Sequence, residues 1–316
     1  MTGQITTYEG KVFLMPTPLA WKFEYACGVP CDSFWIEVPW QKGEEEIYRK
    51  AVRFTAQEAG EVVFTGVIDE TEWTRDRRGS RVTLSGRSLA ALLLDNESEA
   101  ADYETSTLAD ILAHHVTPYG IESLQDGEVP PCQNFRVASG SSQWQVVYDF
   151  VRYHGKIQPR FDREGRLVLT PFGDETVKVL DDTVPVTSFV GREKRYGVLS
   201  EILVRDKKRQ TEERVVNEEF AAQGGQARRI LTMTGSPGQR AMRYSGQYQL
   251  DKSETGRRRL ELTVPALFFV WPGELIQLSR ADCGDNGIWR VLETIVTQDA
   301  DGGRTQLLLG LPDITV

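Results

Sequence analysis

The chain has 316 residues, of which 40% are hydrophobic and 26% charged, and a net charge of −9. These proportions exclude a disordered or fibrous chain, and the length holds two or three domains. The longest apolar runs, such as 267–271, are far too short to cross a bilayer, and the N-terminus has no basic segment followed by an apolar core, so neither a membrane segment nor a secretory leader is expected.

Residues 1–104 are rich in strand signals. Residues 5–12 suit a first strand, and 21–26 (WKFEYA) and 33–38 (SFWIEV) are short aromatic and β-branched runs. Between them lies CGVPC, punctuated by Gly28 and Pro30. A polar turn at 41–46 leads to 47–55, read as a further strand. In 61–95, Val62, Phe64 and Ile68 alternate, and Asp76, Arg77, Arg78 and Gly79 form a turn. Val82 and Leu84 alternate again, Gly86 ends the strand, and Ser88 caps the apolar turn 89–94. Short strands at this spacing predict a sandwich or barrel.

Residues 97–104 are acidic and weakly patterned, and they mark a soft boundary. Thr107 with Asp110 has the capping-box spacing, and Leu108, Ile111, Leu112 and Val116 repeat on one helical face until Pro118 and Gly120. A second helix starts at Ser141 or Ser142, with Trp144, Val147, Tyr148 and Val151 as its stripe and Gly155 as its cap. An extended pair, 156–161 and 166–170, flanks the turn 162–165. From 174 the strand pattern resumes, with 200–205, 214–217 and 229–233 as candidates. Residues 238–250 read as a helix with Ala241, Tyr244 and Tyr248 as its stripe. Turns at 272–273, 285–287 and 299–303 then join four extended runs into an antiparallel meander. The expected fold is α+β and mainly β: two similar antiparallel β-barrel domains, 1–104 and 174–316, flanking a small helix-containing α/β insert, 105–173.

Chemistry is sparse. The sequence holds no dinucleotide, P-loop, zincin or nucleophile-elbow motif. Cys27 and Cys31 supply half a zinc site, but the adjacent His114 and His115 point about 100° apart on a helix and make a poor second half. Cys132 and Cys283 add no framework. The stretch DADGG at 299–303 fails as a calcium loop because its twelfth position is Gly310, so it reads as a hairpin turn. His154 ends the second helix, where a cation suits the dipole. Carboxylate pairs for glycoside hydrolysis assemble in space, so the acidic residues neither supply nor deny one. Trp35, Trp40, Trp73, Trp271 and Trp289 fit a sugar-binding face or, with the larger weight, core and subunit contacts. No catalytic, cofactor-binding or metal residue is therefore expected, and no interface residue is assigned.

Charge points the same way. Residues 1–104 carry 11 basic and 18 acidic side chains, residues 105–173 carry 6 and 7, and residues 174–316 carry 20 and 21. No region has the basic excess that grips phosphate backbones, so stable nucleic-acid binding is not expected. The basic triplet Arg257, Arg258 and Arg259 reads as a solvated strand entry.

The stretch FTGVIDE, a hairpin, then VTLSGRSLAALLLD resembles the first barrel of phage tail-hub (baseplate hub) proteins. That family includes the hubs of contractile-tailed phages such as Mu and the late control D family. Gly66, Ile68, Asp69, Gly86 and Arg87 occupy the positions of its glycine–hydrophobic–acid strand and its glycine–arginine strand end. The segments TLADILAHHVTPYGI and SSQWQVVYDFVRYHGKIQPRFDREGRLVL are similar to the family's insert, and FFVWPGELIQL with GIWRVLETIVTQDADGGRTQLLL to its final strands. The resemblance implies a structural protein and not an enzyme: a homotrimer joining a sixfold tail tube to a threefold spike through six barrels. Its place would be the virion tail baseplate, after assembly in the bacterial host cytoplasm. A cell-wall hydrolase domain, fused to some hubs, finds no room after the second barrel. DNA would pass through the central channel, lined by the acidic surplus of 1–104. A carbohydrate- or receptor-binding tail module and a cell-wall hydrolase with a spatially assembled carboxylate pair are the competing readings.

Overall fold

A computed structural model describes residues 1–77, 79–126, 129–233 and 238–313, with the backbone alone for Arg240. The turn residue Arg78 lies outside the described residues. The chain divides into two units. The first comprises 1–173, 265–269 and 294–305; the second comprises the remainder of the described chain.

The first unit opens with β1 (Thr2–Thr7), β2 (Val12–Leu14), β3 (Ala20–Ala26) and β4 (Ser33–Pro39). Helix α1 (Glu45–Lys50) leads into β5 (Ala51–Glu58), β6 (Glu61–Asp76), β7 (Gly79–Ser88) and α2 (Ala90–Leu94). Two expectations change here. Residues 5–12 form two strands and not one, because the chain turns at Gly10, whose φ is +79°. The start of 47–55 is helical: Glu45 and Glu46 occupy its first turn and Arg49 and Lys50 its last, the order that complements a helix dipole.

The strand order is β3-β4-β7-β6-β5-β1-β2. Flat, it would separate β3 from β5 by about 19 Å. Yet Phe23 of β3 and Phe54 of β5 have ring centroids 6.4 Å apart, and Phe34 of β4 stacks on Phe54 at 4.4 Å. The sheet therefore curls around Phe23, Phe34, Phe54 and Phe64, which are all buried. Alternation on β3 and β4 sends every second residue into this cluster. The Tyr25 hydroxyl closes the curl by donating to the Val63 carbonyl at 2.7 Å, and burial raises its pKa well above the usual value.

The first unit continues with β8 (Ala101–Ser106), α3 (Leu108–His115), β9 (Ser123–Gln125), β10 (Cys132–Val137), α4 (Gln143–Phe150), β11 (Arg160–Phe161) and β12 (Leu167–Leu169). Thr107 and Asp110 form the expected capping box, and Ser142 caps α4. The two helical stripes share a core with Leu93, Leu167 and Leu169. The end of α4 is not the expected glycine cap. The chain widens into a π turn at Val151–Gly155, and Lys156 takes the left-handed conformation, with φ +55°. Only Arg160–Phe161 of the expected strand 156–161 is paired.

The second unit holds β13 (Thr176–Asp181), β14 (Ser188–Glu193), β15 (Glu201–Asp206), β16 (Thr211–Val216), α5 (Glu218–Ala222), β17 (Arg228–Met233) and α6 (Gln239–Glu254). It continues with β18 (Arg258–Val264), β19 (Leu275–Ser279) and parts of β20 (Gly287–Asp299) and β21 (Gly302–Gly310). The expected turn at 299–303 joins the last two strands. One sheet runs β14-β18-β21-β20-β19-β13. A second runs β16-β15-β17 and carries α6. The stripe of α6 differs from the expected one: Met242, Gly246 and Leu250 face inward, while Tyr244 is 40% exposed. A glycine in the middle position hides the period from a hydrophobicity pattern. A Cβ on Gly246 would sit 2.6 Å from Val215 Cγ2, so helix and sheet meet at backbone distance.

Phe54 is the ring through which the curled sheet closes. Replacing it with alanine should cost about 3–5 kcal/mol in urea unfolding monitored by circular dichroism. A loss below 1 kcal/mol would mean that these stacks do not hold the curl.

Candidate functional site

The residues singled out for chemistry are dispersed and occupied by structural contacts. His114 and His115 converge on one hydroxyl and not on a metal: Tyr103 Oη lies 3.0 Å from His114 Nδ1 and 3.1 Å from His115 Nε2. His115 is buried, and its Nδ1 lies 2.7 Å from Gln143 Oε1. With the Nδ1 proton donated to Gln143, Nε2 is left to accept from the tyrosine. Burial lowers the His115 pKa, which keeps the ring neutral. His154 is not a helix-end cation. It packs among Phe135, Phe150 and Tyr153, and burial lowers its pKa.

Cys27, Cys31, Cys132 and Cys283 are free thiols. Among the described residues, no three His, Cys, Asp or Glu side chains cluster as a metal would require. Trp289 is buried, whereas Trp35, Trp40, Trp73 and Trp271 are half-buried. The Arg49 guanidinium covers the Trp73 ring at 4.8 Å. Arg257 departs from the solvated reading of its triplet. It is buried over Phe220 at 5.1 Å, 3.3 Å from Glu254 and 3.5 Å from Glu193, while Arg258 is exposed.

The five positions that carry the resemblance come together where β6 crosses β7. Gly66 and Gly86 sit at backbone contact: a Cβ on Gly66 would lie 2.1 Å from the Arg87 carbonyl oxygen, and one on Gly86 would lie 2.0 Å from that of Val67. Only glycine permits this approach. The ladder slips between Ile68 and Glu70, and the extra residue is Asp69. The bulge directs its carboxylate to Arg87, which donates to Asp69 through Nε at 2.7 Å and Nη2 at 2.9 Å. Arg87 also donates to Asp95, just past α2, at 3.0 and 2.7 Å. The guanidinium thus clips the bulge to the exit of the sheet. The two carboxylates raise the pKa of Arg87, and Arg87 in turn lowers that of Asp95.

Sequence reasoning missed Asp32, beside this crossing. Its backbone N–H donates to Ser88 Oγ at 3.2 Å, its carbonyl accepts from Ser88 N at 2.9 Å, and its Oδ1 accepts from Ala26 N at 3.1 Å. These bonds pin the CGVPC loop to the end of β7. Burial pushes the carboxyl up to about 7, although the Ala26 bond opposes the shift. Its partners are backbone and hydroxyl groups, so the acid is a loop pin with no substrate-facing role. An aspartate two places after a proline in a loop carries no sequence signal for this.

No protein-family model matches the chain, and no curated protein matches it. Solved structures do. The tail protein from Neisseria meningitidis MC58 has a TM-score of 0.77 at 16% identity, over 99% of this chain and 97% of that one. The 43 kDa tail protein of prophage MuSo2 from Shewanella oneidensis gives 0.78 at 18%, over 99% of both. The E. coli c3393 protein, a component of the type VI secretion system similar to the T4 tail proteins gp27 and gp5, gives 0.56 at 11%, over 94% of this chain and 73% of that one. The chain shares the fold of these tail proteins, and the resemblance read from its sequence is borne out at that level.

Two outcomes follow. Gly86→Ala should destabilise the first unit by about 2–4 kcal/mol in denaturant unfolding, because the strands must part to admit a methyl group. Asp32 has a folded pKa above its unfolded one, so the folded state binds the extra proton between about pH 4 and pH 7. Stability should therefore fall as pH rises through that window, and Asp32→Asn should remove this part of the slope. Parallel slopes for the two proteins in pH-dependent melting would refute the assignment.

Proposed function

We propose that the chain is a structural, non-enzymatic hub protein of a phage tail or a phage-like contractile injection system. In this reading three copies form a ring that joins a sixfold tail tube to a threefold spike. The observation that carries it is the fold shared with two tail proteins over nearly the full length of each chain. The site chemistry supports it, because the residues with perturbed acidity hold loops and strands together.

The proposed division is a first barrel at 1–104, a helix-containing insert at 105–173 and a second barrel at 174–316. The aromatic closure of the first sheet supports the first barrel. The shared core from Leu93 to Leu169 supports the insert. For the second barrel, β13 and β14 lie at opposite ends of a six-strand order, about 24 Å apart if flat. Residues 182–187 link them, and the link starts with a turn in which Val184 N donates to the Asp181 carbonyl at 3.2 Å. Such a link reaches about 21 Å at most, which favours a curled sheet. Two barrels in each of three chains supply six similar modules, which reconciles a threefold with a sixfold neighbour. The proposed location is the virion baseplate after assembly in the host cytoplasm. Tube and spike proteins are the proposed partners, and DNA crosses an acid-lined channel without stable binding.

Sedimentation velocity of the purified chain, alone and with its cognate spike, tests this. A three-chain species is the expected result. A chain that stays monomeric with the spike and retains glycan overturns the hub in favour of a receptor-binding module. Peptidoglycan turnover abolished by changing one carboxylate would replace it with a hydrolase.

A further inference from the structure

Both ends of the six-strand sheet in the second unit are open. Among the described residues, β13 pairs only with β19 and β14 only with β18. Every residue of β14 is exposed, as are Thr176–Val179 of β13. Apolar side chains on both edges face solvent: Val177 is 48% exposed, Val179 51%, Phe189 37% and Val190 40%. An exposed edge of this kind is a template for strand addition, and chains that function alone blunt it with charge, bulges or shortness. This molecule blunts its other edges. The part of β6 beyond Val67 pairs with β7 alone and carries Glu70, Glu72, Arg75 and Asp76. The outer strand β2 spans only Val12–Leu14.

The two open edges differ in charge. Residues 174–182 around β13 hold four carboxylates, Asp174, Glu175, Asp181 and Asp182, and one lysine. Residues 188–196 around β14 hold three cations, Arg192, Lys194 and Arg195, and one carboxylate. Their ion pairs leave most of these charges in solvent, as with Arg192 and Glu261 at 3.3 Å and Asp174 and Arg290 at 3.5 Å. The link between the edges is held from inside. Buried Arg280 donates from Nη1 to the Asp181 carbonyl at 2.9 Å and to that of Val184 at 2.7 Å, with Asp282 on its other nitrogens.

We propose that the acidic β13 edge of one copy of this chain docks against the basic β14 edge of a second copy, by strand addition between their second units. The occupant is another copy because each chain carries both halves of a complementary pair. A foreign strand would cover one edge and leave the other open, whereas identical copies cover both. A contact between unlike edges is head-to-tail, and it closes into a ring when its rotation permits. The inference rests on the ring-forming reading above and assigns its contact surface.

Equilibrium sedimentation of the full chain and two variants tests it. Val179→Lys places a cation on the acidic edge, and Val190→Glu places a carboxylate on the basic edge. Both positions are exposed, so both variants should keep the wild-type melting transition. Wild-type association should weaken with added salt, and each variant alone should associate about tenfold more weakly or worse. Mixing the two should restore association, because every β13–β14 contact between unlike copies is then either native or charge-matched. Undiminished association in both variants overturns the edge assignment while leaving the ring intact. A wild-type chain that stays monomeric even with its spike overturns both.

Discussion

The closest approach in the molecule is between two stretches of backbone with no side chain between them. At Gly66 and Gly86, β6 and β7 cross at a distance that any Cβ would block. The bulge at Asp69 sits within this crossing, and the Asp69–Arg87–Asp95 clip is built on it. The bend it allows turns the strand order back on itself, so that Phe23 and Phe54 meet across it. Without the crossing the aromatic cluster would have two separate faces and no shared interior. The charged clip is partly exposed and contributes modestly, whereas the glycine contact and the buried rings carry most of the stability.

Polar groups elsewhere follow one rule: each buried charge or dipole closes a connection in the chain. Arg280 holds the link after β13, Arg290 reaches the carbonyls of Gly273 and Pro312 at 2.6 Å each, and Asp32 holds the cysteine loop to β7. His115 and Gln143 tie α3 to α4, and Gln143 Nε2 continues to the Glu97 carbonyl at 3.2 Å. Such groups must be satisfied once buried, since leaving one unpaired costs more than its bond gains. A protein whose titratable groups are spent in this way has the chemistry of a scaffold.

Local signals were legible where a side chain reports its own environment. The alternation of β3, β4, β6 and β7, the capping box at Thr107 and the stripe of α3 all follow from periods of two and 3.6. Edges were not legible. Strands β13 and β14 are exposed on both faces, so they show no alternation, and pairing on one side alone leaves no mark in the residue pattern. Helix α1 was lost because six residues carry too few turns to declare a period. Arg257 read as a surface charge because its carboxylate partner Glu193 lies 64 positions away. The glycines at 66 and 86 were visible as a pattern before their cause was: the reason is a contact between strands, which exists only in three dimensions.

Helix α6 rests on its sheet through Gly246, with Val215 and Val204 beneath it. A layer this thin leaves no intervening side chain to change rotamer and no space for water, and close-packed protein of this kind compresses little. The consequence is mechanical. The helix and the sheet β16-β15-β17 respond to force as one plate, and a push on the outer face of α6 arrives at β15 without a soft layer to absorb it.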